Sequence, residues 1–260
     1  HWATTLERAQ KYVQKFRDVG LTELNVSIDD YHAPFVPLEN IRNFWNASKS
    51  VGFESVLLAN SHGPKDKINP AFIQKFLGEK IIVGDNENVL NSIKKTHVAK
   101  DGTMYMIFES SLQKSGRAHD LDSKKFISIK KQDHLSVPCK WAVQDPVLSP
   151  LGHIWACCGI PSDNNPVLDM GDANKEKIKT ILERGADNVL LNALHYLGPY
   201  KLCKFVEEHS KIRFKQEFYG VCEVCSALTN NKKAIDVLRK NYATLVPIVL
   251  AEKELVECNC

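Results

Sequence analysis

The 260-residue chain has no apolar stretch approaching the ~20 residues of a membrane-spanning helix, so none of its segments reads as such an anchor. It has little net charge. Its 34 Lys and Arg stand against 31 Asp and Glu, a formal balance of +3, and the basic residues are not gathered in one run. That is too mild and too dispersed for a nucleic-acid surface. Internal repeats and low-complexity tracts are lacking, which argues against solenoids and long disordered linkers. No secretory signal is visible either. The chain opens on "HWATTLERAQ", without an initiator Met and already in helical pattern. Such an opening resembles the interior of a fold, and a segment upstream of His1 is expected. The compartment expected from these absences is the cytoplasm, with neither membrane nor nucleic acid as partner.

What is present is an ordinary globular composition, 43% hydrophobic and 25% charged, long enough for one large domain or one domain with an appendage. Residues 5–19 carry an apolar stripe at Leu6, Ala9, Val13 and Phe16, and Gly20 supplies a helix stop. "LNVSID" then alternates: Leu24, Val26 and Ile28 share one strand face, and Asn25, Ser27 and Asp29 the other. A helix is predicted from Pro37 to Val51, and a strand at "SVLLAN". A helix over 70–77, a short strand at "IIV", a helix over 88–96 and a strand at "TMYMIFE" follow. This cadence indicates βα units and a parallel sheet of three or four strands, too few for a closed eight-stranded barrel.

After about residue 130 the texture changes. "VLSPLGHIWACC" has Pro150, Leu151 and Gly152 at a turn between two apolar arms, the pattern of a β-hairpin. A capped helix is expected from about Asp172, then helices over 188–197 and 200–209. A "YGVCEVCSALTNN" loop and a helix over 234–241 complete the reading. The expected domains are residues 1–130 and 131–260.

Eight cysteines without a secretory signal favour a reducing compartment, where clustered thiols more often bind metal than pair as disulfides. Cys139 and Cys157 sit at the two ends of the hairpin, in a C-x12-G-x4-C spacing that brings them together. Cys222 and Cys225 form C-x-x-C. Two such pairs suit four-thiolate ligation of zinc or of an iron–sulfur cluster, which spacing alone does not separate. Disulfides and scattered buried thiols are the bland alternatives. Cys158 is a spare neighbour, Cys203 reads as a core thiol, and Cys258 and Cys260 lie at the carboxy end.

The hairpin with "GVCEVC" closely resembles the auxiliary-cluster domains of radical S-adenosylmethionine (SAM) enzymes, called SPASM and, when shorter, twitch domains. "MGDANKEKIKTIL" is similar to the segment following that hairpin. "SIDD" at Ser27 is similar to a fourth-strand sequence of the family's barrels, and "GRAHDL" at residues 116–121 to the segment after the sixth strand. The resemblance implies an α/β fold: the later strands of a (β/α)6 radical SAM barrel, then a small α+β cysteine domain. It implies one auxiliary 4Fe–4S cluster held by Cys139, Cys157, Cys222 and Cys225. SAM would meet Ser27 and Asp29, with Arg117 pairing its carboxylate. It also implies a 5′-deoxyadenosyl radical that abstracts hydrogen from a peptide or small-molecule substrate, and an electron donor such as flavodoxin or ferredoxin.

Two departures stand out. "SALTNNKKA" after Cys225 lacks the cysteines of a second auxiliary cluster, and the C-x3-C-x2-C motif of the SAM-cleaving cluster is nowhere in the chain. Amino-terminal truncation is the expected reason. The alternatives are a degenerate, non-catalytic iron–sulfur or zinc protein acting as a binding module, and a disulfide-stapled extracellular protein. His32, Asn60, Ser61, His62 and Glu109 follow the apolar strands and could border a pocket.

Overall fold

The computed structural model describes residues 2–84, 102–114, 118, 120–129, 135–157 and 165–258. Its contacts divide into two compact units, His1–Leu112 with Asp122–Ile127, and Gln113–Leu121 with Ser128–Cys260.

In the first unit the Thr5 hydroxyl accepts the Arg8 N–H at 3.2 Å and starts α1 (Leu6–Asp18), which buries Ala9 and Val13. Pro37 precedes α2 (Leu38–Ser48), whose Ile41, Phe44, Trp45 and Ala47 are buried. Asn69 caps α3 (Pro70–Leu77) by accepting from Phe72 N–H at 3.0 Å, and Gly78, at φ +77°, closes it. Strands β1 (Glu23–Ser27), β2 (Ser55–His62), β3 (Ile82–Gly84) and β4 (Met104–Ser111) form a parallel sheet in the order β1-β2-β4-β3. Among the described residues this sheet is open, with β1 and β3 at its edges.

Parallel register sets Leu24 beside Val56, Val26 beside Leu58, and Leu58 beside Ile107. These residues share one core cluster with Ala9, Val13, Ile41, Phe44, Trp45 and Ile73. All three helices therefore cover the same face. The alternate residues, among them Ser27, Leu57, Ala59, Ser61, Phe108 and Ser110, point to the other face. Leu58 and Ile107 are wholly buried, and either one trimmed to Ala would cost about 2–5 kcal/mol.

One buried carboxylate ties the loops of this unit. Asp66 accepts the Gly63 N–H at 2.8 Å, the Tyr31 hydroxyl at 2.8 Å and the Lys125 ammonium at 3.3 Å. Lys125 ends the short 3₁₀ turn Ser123–Lys125. Burial by itself would raise the Asp66 carboxyl, but the Gly63, Tyr31 and Lys125 donors outweigh it and hold it below the usual carboxylate range. Burial, then the hydrogen bond to Asp66, pushes the Tyr31 hydroxyl well above its ordinary range.

The second unit begins its regular structure with a three-stranded antiparallel sheet, β5 (Val147–Leu148), β6 (His153–Trp155) and β7 (Asp169–Asp172), in that order. The expected hairpin is β5–β6. Ser149 donates to the His153 carbonyl at 2.7 Å and Gly152 to the Ser149 carbonyl at 3.0 Å. Gly152 has φ +92°, and a Cβ there would sit 2.0 Å from the Asn174 amide nitrogen, so only glycine fits. Six helices follow: α4 (Ile178–Ala186), α5 (Val189–Tyr196), α6 (Pro199–Glu208), α7 (Val221–Thr229), α8 (Lys232–Lys240) and α9 (Tyr242–Cys258). Their buried Leu190, Leu194, Leu202, Val206, Val224, Leu228, Leu238 and Leu245 pack with Ile154 and Leu168 into a second core.

Three expectations need correction. The helix expected from about Asp172 begins at Ile178, because Asp172 ends β7 and its carboxylate accepts the Asn174 N–H at 2.9 Å, closing a turn instead of capping a helix. The "YGVCEVCSALTNN" segment is helix α7, not a loop. Helix α9 was not foreseen, since Pro247 lies inside it. The helix expected over 88–96 lies outside the described residues, as do Arg117, Cys158 and Cys260.

The Asp66 network generates a pH prediction. A carboxyl lowered in the folded state adds stability above its unfolded value, near pH ~4, and that stability is lost as pH falls through the folded value. Asp66→Asn should lower urea stability at pH 7 by about 1–3 kcal/mol and flatten the acid limb of the stability profile. An unchanged acid limb in the variant would contradict the assignment.

Candidate metal centre

Each of the four sequence-selected cysteines arrives on a different local device. Cys139 lies in an irregular segment and is held by its backbone: its N–H donates to the Leu194 carbonyl at 3.1 Å, and its carbonyl accepts from Ala142 N–H at 3.3 Å. Cys157 follows β6, next to Ala156, whose N–H donates to the Leu168 carbonyl at 2.9 Å. Cys222 and Cys225 are both on α7. A spacing of three puts them on one helix face, Cys222 exposed in the first turn and Cys225 buried one turn later. The start of α7 is fixed by Glu223, which accepts the Tyr219 N–H at 2.7 Å and pairs with Lys215 at 2.5 Å. Thr229 ties the next turn by donating to the Cys225 carbonyl at 2.8 Å.

The structure brings these thiols together around Cys225. Burial raises its thiol far above the ordinary range, and the neighbouring Cys139, Cys157, Cys222 and Cys203 raise it further. Among the described residues Cys139, Cys203, Cys225 and Cys258 are free thiols. Cys203 sits on α6, and burial, with Glu207 nearby, pushes its thiol up to about 12. Among the described residues no group of three or more His, Cys, Asp or Glu stands ready for a single metal ion. The thiols are thus electrostatic neighbours without being drawn to single-ion spacing. In chemical type the set fits a sulfur-ligated group, since four thiols supply the donors of a 4Fe–4S cluster.

The other sequence-selected residues lie in the first unit, at the carboxy edge of its sheet. Ser27 ends β1, half-buried, on the face away from the helices. Asp29 is buried and engaged locally: one carboxylate oxygen accepts the N–H groups of Tyr31 and His32, and both oxygens lie 2.9 Å from His32 Nδ1. Sequence reasoning named Ser61, His62 and Glu109 as pocket-bordering residues but not Ser110, nor the two cross-strand pairings at this edge. Ser61 and Ser110 hydroxyls are 2.8 Å apart, and His62 Nε2 lies 2.6 Å from the Glu109 carboxylate. Asn60 is buried beside them; its amide donates to the carbonyls of Ile28 at 2.6 Å and Ile68 at 2.9 Å. The amide thereby ties the end of β1 to the loop after β2. The pairs depend on the β2–β4 register, which no local pattern announces.

No family profile matches the chain. Over 238 residues it is 24% identical to the "Putative peptide biosynthesis protein YydG" of Bacillus subtilis (strain 168), an alignment covering 90% of this chain and 67% of that protein. No helix among the described residues is long and apolar enough to cross a membrane.

The thiol environments predict a reactivity order. In the metal-free chain at pH 8, iodoacetamide should modify Cys222 readily and leave Cys203 unmodified, as read by peptide mass spectrometry. Modification of Cys203 at the rate of Cys222 would contradict its placement.

Proposed function

We propose that this chain is the carboxy-terminal part of a radical SAM enzyme acting on a peptide. In this reading Cys139, Cys157, Cys222 and Cys225 hold one auxiliary 4Fe–4S cluster. The observation that carries the reading is that buried Cys225 feels the charges of Cys139, Cys157 and Cys222, from a hairpin and a helix far apart in sequence, as well as that of the core thiol Cys203. One further point supports it: the relative's printed name concerns peptide biosynthesis, and its alignment runs through most of the chain.

The domain proposal follows. Residues 1–130 supply later strands of a (β/α)6 radical SAM barrel, and 131–260 a twitch-type cluster domain. Among the described residues the helices lie on one face of the parallel sheet, which supports the first part, because barrel strands keep their helices outside and turn the other face inward. In the complete enzyme, SAM supplies a 5′-deoxyadenosyl radical for hydrogen abstraction, with electrons delivered by a flavodoxin or ferredoxin. In this reading Ser27, at the carboxy edge of the sheet, hydrogen-bonds a bound SAM, and Arg117 pairs with its carboxylate. Asp29 serves this edge through the turn it closes, because its carboxylate already binds the Tyr31 and His32 N–H groups. With all four cysteines as ligands, the auxiliary cluster has no open iron, so its task is electron transfer or support, not substrate anchoring.

Anaerobic reconstitution with iron and sulfide tests the reading. About four irons per chain should be taken up. Cys139→Ala and Cys225→Ala should abolish stable loading, and Cys203→Ala should leave it intact. Stoichiometric zinc with no iron uptake, or equal losses in all three variants, would overturn the ligand set.

A further inference from the structure

Three of the four thiols are placed by regular elements: Cys157 directly follows a strand, and Cys222 and Cys225 ride a helix. Cys139 has no element of its own, and its position is set by the carboxy end of α5. The Leu194 carbonyl, which also accepts the Gly198 N–H at 3.1 Å, takes the Cys139 N–H at 3.1 Å. The next residue, His195, lies with Nδ1 3.1 Å from the Cys139 carbonyl. Its other nitrogen is 3.5 Å from the Gln144 side-chain nitrogen. The Cys139 carbonyl can only accept, so this hydrogen bond requires the proton on Nδ1, directed at Cys139. Just beyond, Gly198 has φ +83°, and a Cβ on it would lie 2.0 Å from the Val137 carbonyl oxygen and 3.3 Å from the Pro138 Cα. The backbone leading into Cys139 therefore rests directly on the turn that joins α5 to α6.

These contacts are backbone-directed on both sides of one residue. Leu194 holds the amide, His195 the carbonyl, and Gly198 removes the side chain that would lift residues 137–138 away. We propose that His195 is a positioning residue for Cys139: its Nδ1–H fixes the peptide of this residue so that the thiol faces Cys225. The role rests on the four-cysteine reading only where metal loading is the readout, because the cradle itself is a property of the metal-free chain.

The test compares His195→Ala with His195→Asn, whose amide nitrogen falls where Nδ1 does. In the metal-free full-length chain, iodoacetamide rates at Cys139, Cys222 and Cys203 are read by peptide mass spectrometry. In parallel, iron retention is read against a chelator after anaerobic reconstitution. His195→Ala should raise the Cys139 rate several-fold with Cys222 and Cys203 unchanged, and weaken iron retention about tenfold. His195→Asn should restore both. An unchanged Cys139 rate in His195→Ala overturns the role, and so does a general rise at all three cysteines, which would mean simple loosening of the unit. Failure of Asn to rescue overturns it too. If the wild-type chain takes up no iron but the alkylation pattern holds, the cradle stands and the cluster reading falls.

Discussion

The constraint on which the second unit turns is the crowding of thiols around a buried Cys225. Burial already disfavours its thiolate, and each neighbouring sulfur that ionised would disfavour it further. Four such groups can be held together as thiolates only if a cation compensates them, and otherwise they remain protonated. The hairpin, the α5–α6 turn and the face of α7 converge on this one point.

The first unit solves a different problem. Among the described residues the helices cover one side of its parallel sheet, and alternate strand residues present a mixed apolar and hydroxyl face, with Ser27, Ser61 and Ser110 toward the carboxy edge. The loops that follow β1 and β2 are fastened beneath that edge by Asn60 and by the buried Asp66, which together take up the carbonyls, amides and hydroxyl the loops would otherwise leave unpaired. That fastening keeps an edge built from short loops in one arrangement.

Much of this was legible in the sequence where a short-range rule dominates. The apolar stripe of α1, the α3 helix over 70–77, the alternation of Leu24, Val26 and Ile28 with Asn25 and Ser27, and the Pro150–Gly152 turn follow from backbone chemistry within a few residues. What misled was ambiguity at the same range. A C-x-x-C spacing suits a loop or one turn of helix, and "VCEVCSALT" chose helix because Val224, Cys225 and Leu228 had a core to enter. Asp172 could cap a helix or close a turn, and the pairing of β7 with β6 decided for the turn. Pro247 disguised α9. The His62–Glu109 and His195–Cys139 contacts were invisible for a different reason, since each depends on a packing partner 47 or 56 residues away.

The central claim is that the gathered thiols hold a polynuclear iron–sulfur group. X-ray absorption at the iron edge, recorded on the anaerobically reconstituted chain, tests it most directly. The account predicts sulfur-only first-shell scattering together with an iron–iron shell, both lost in Cys225→Ala. Sulfur ligation without an iron–iron shell, or the same signal in the variant, would contradict it.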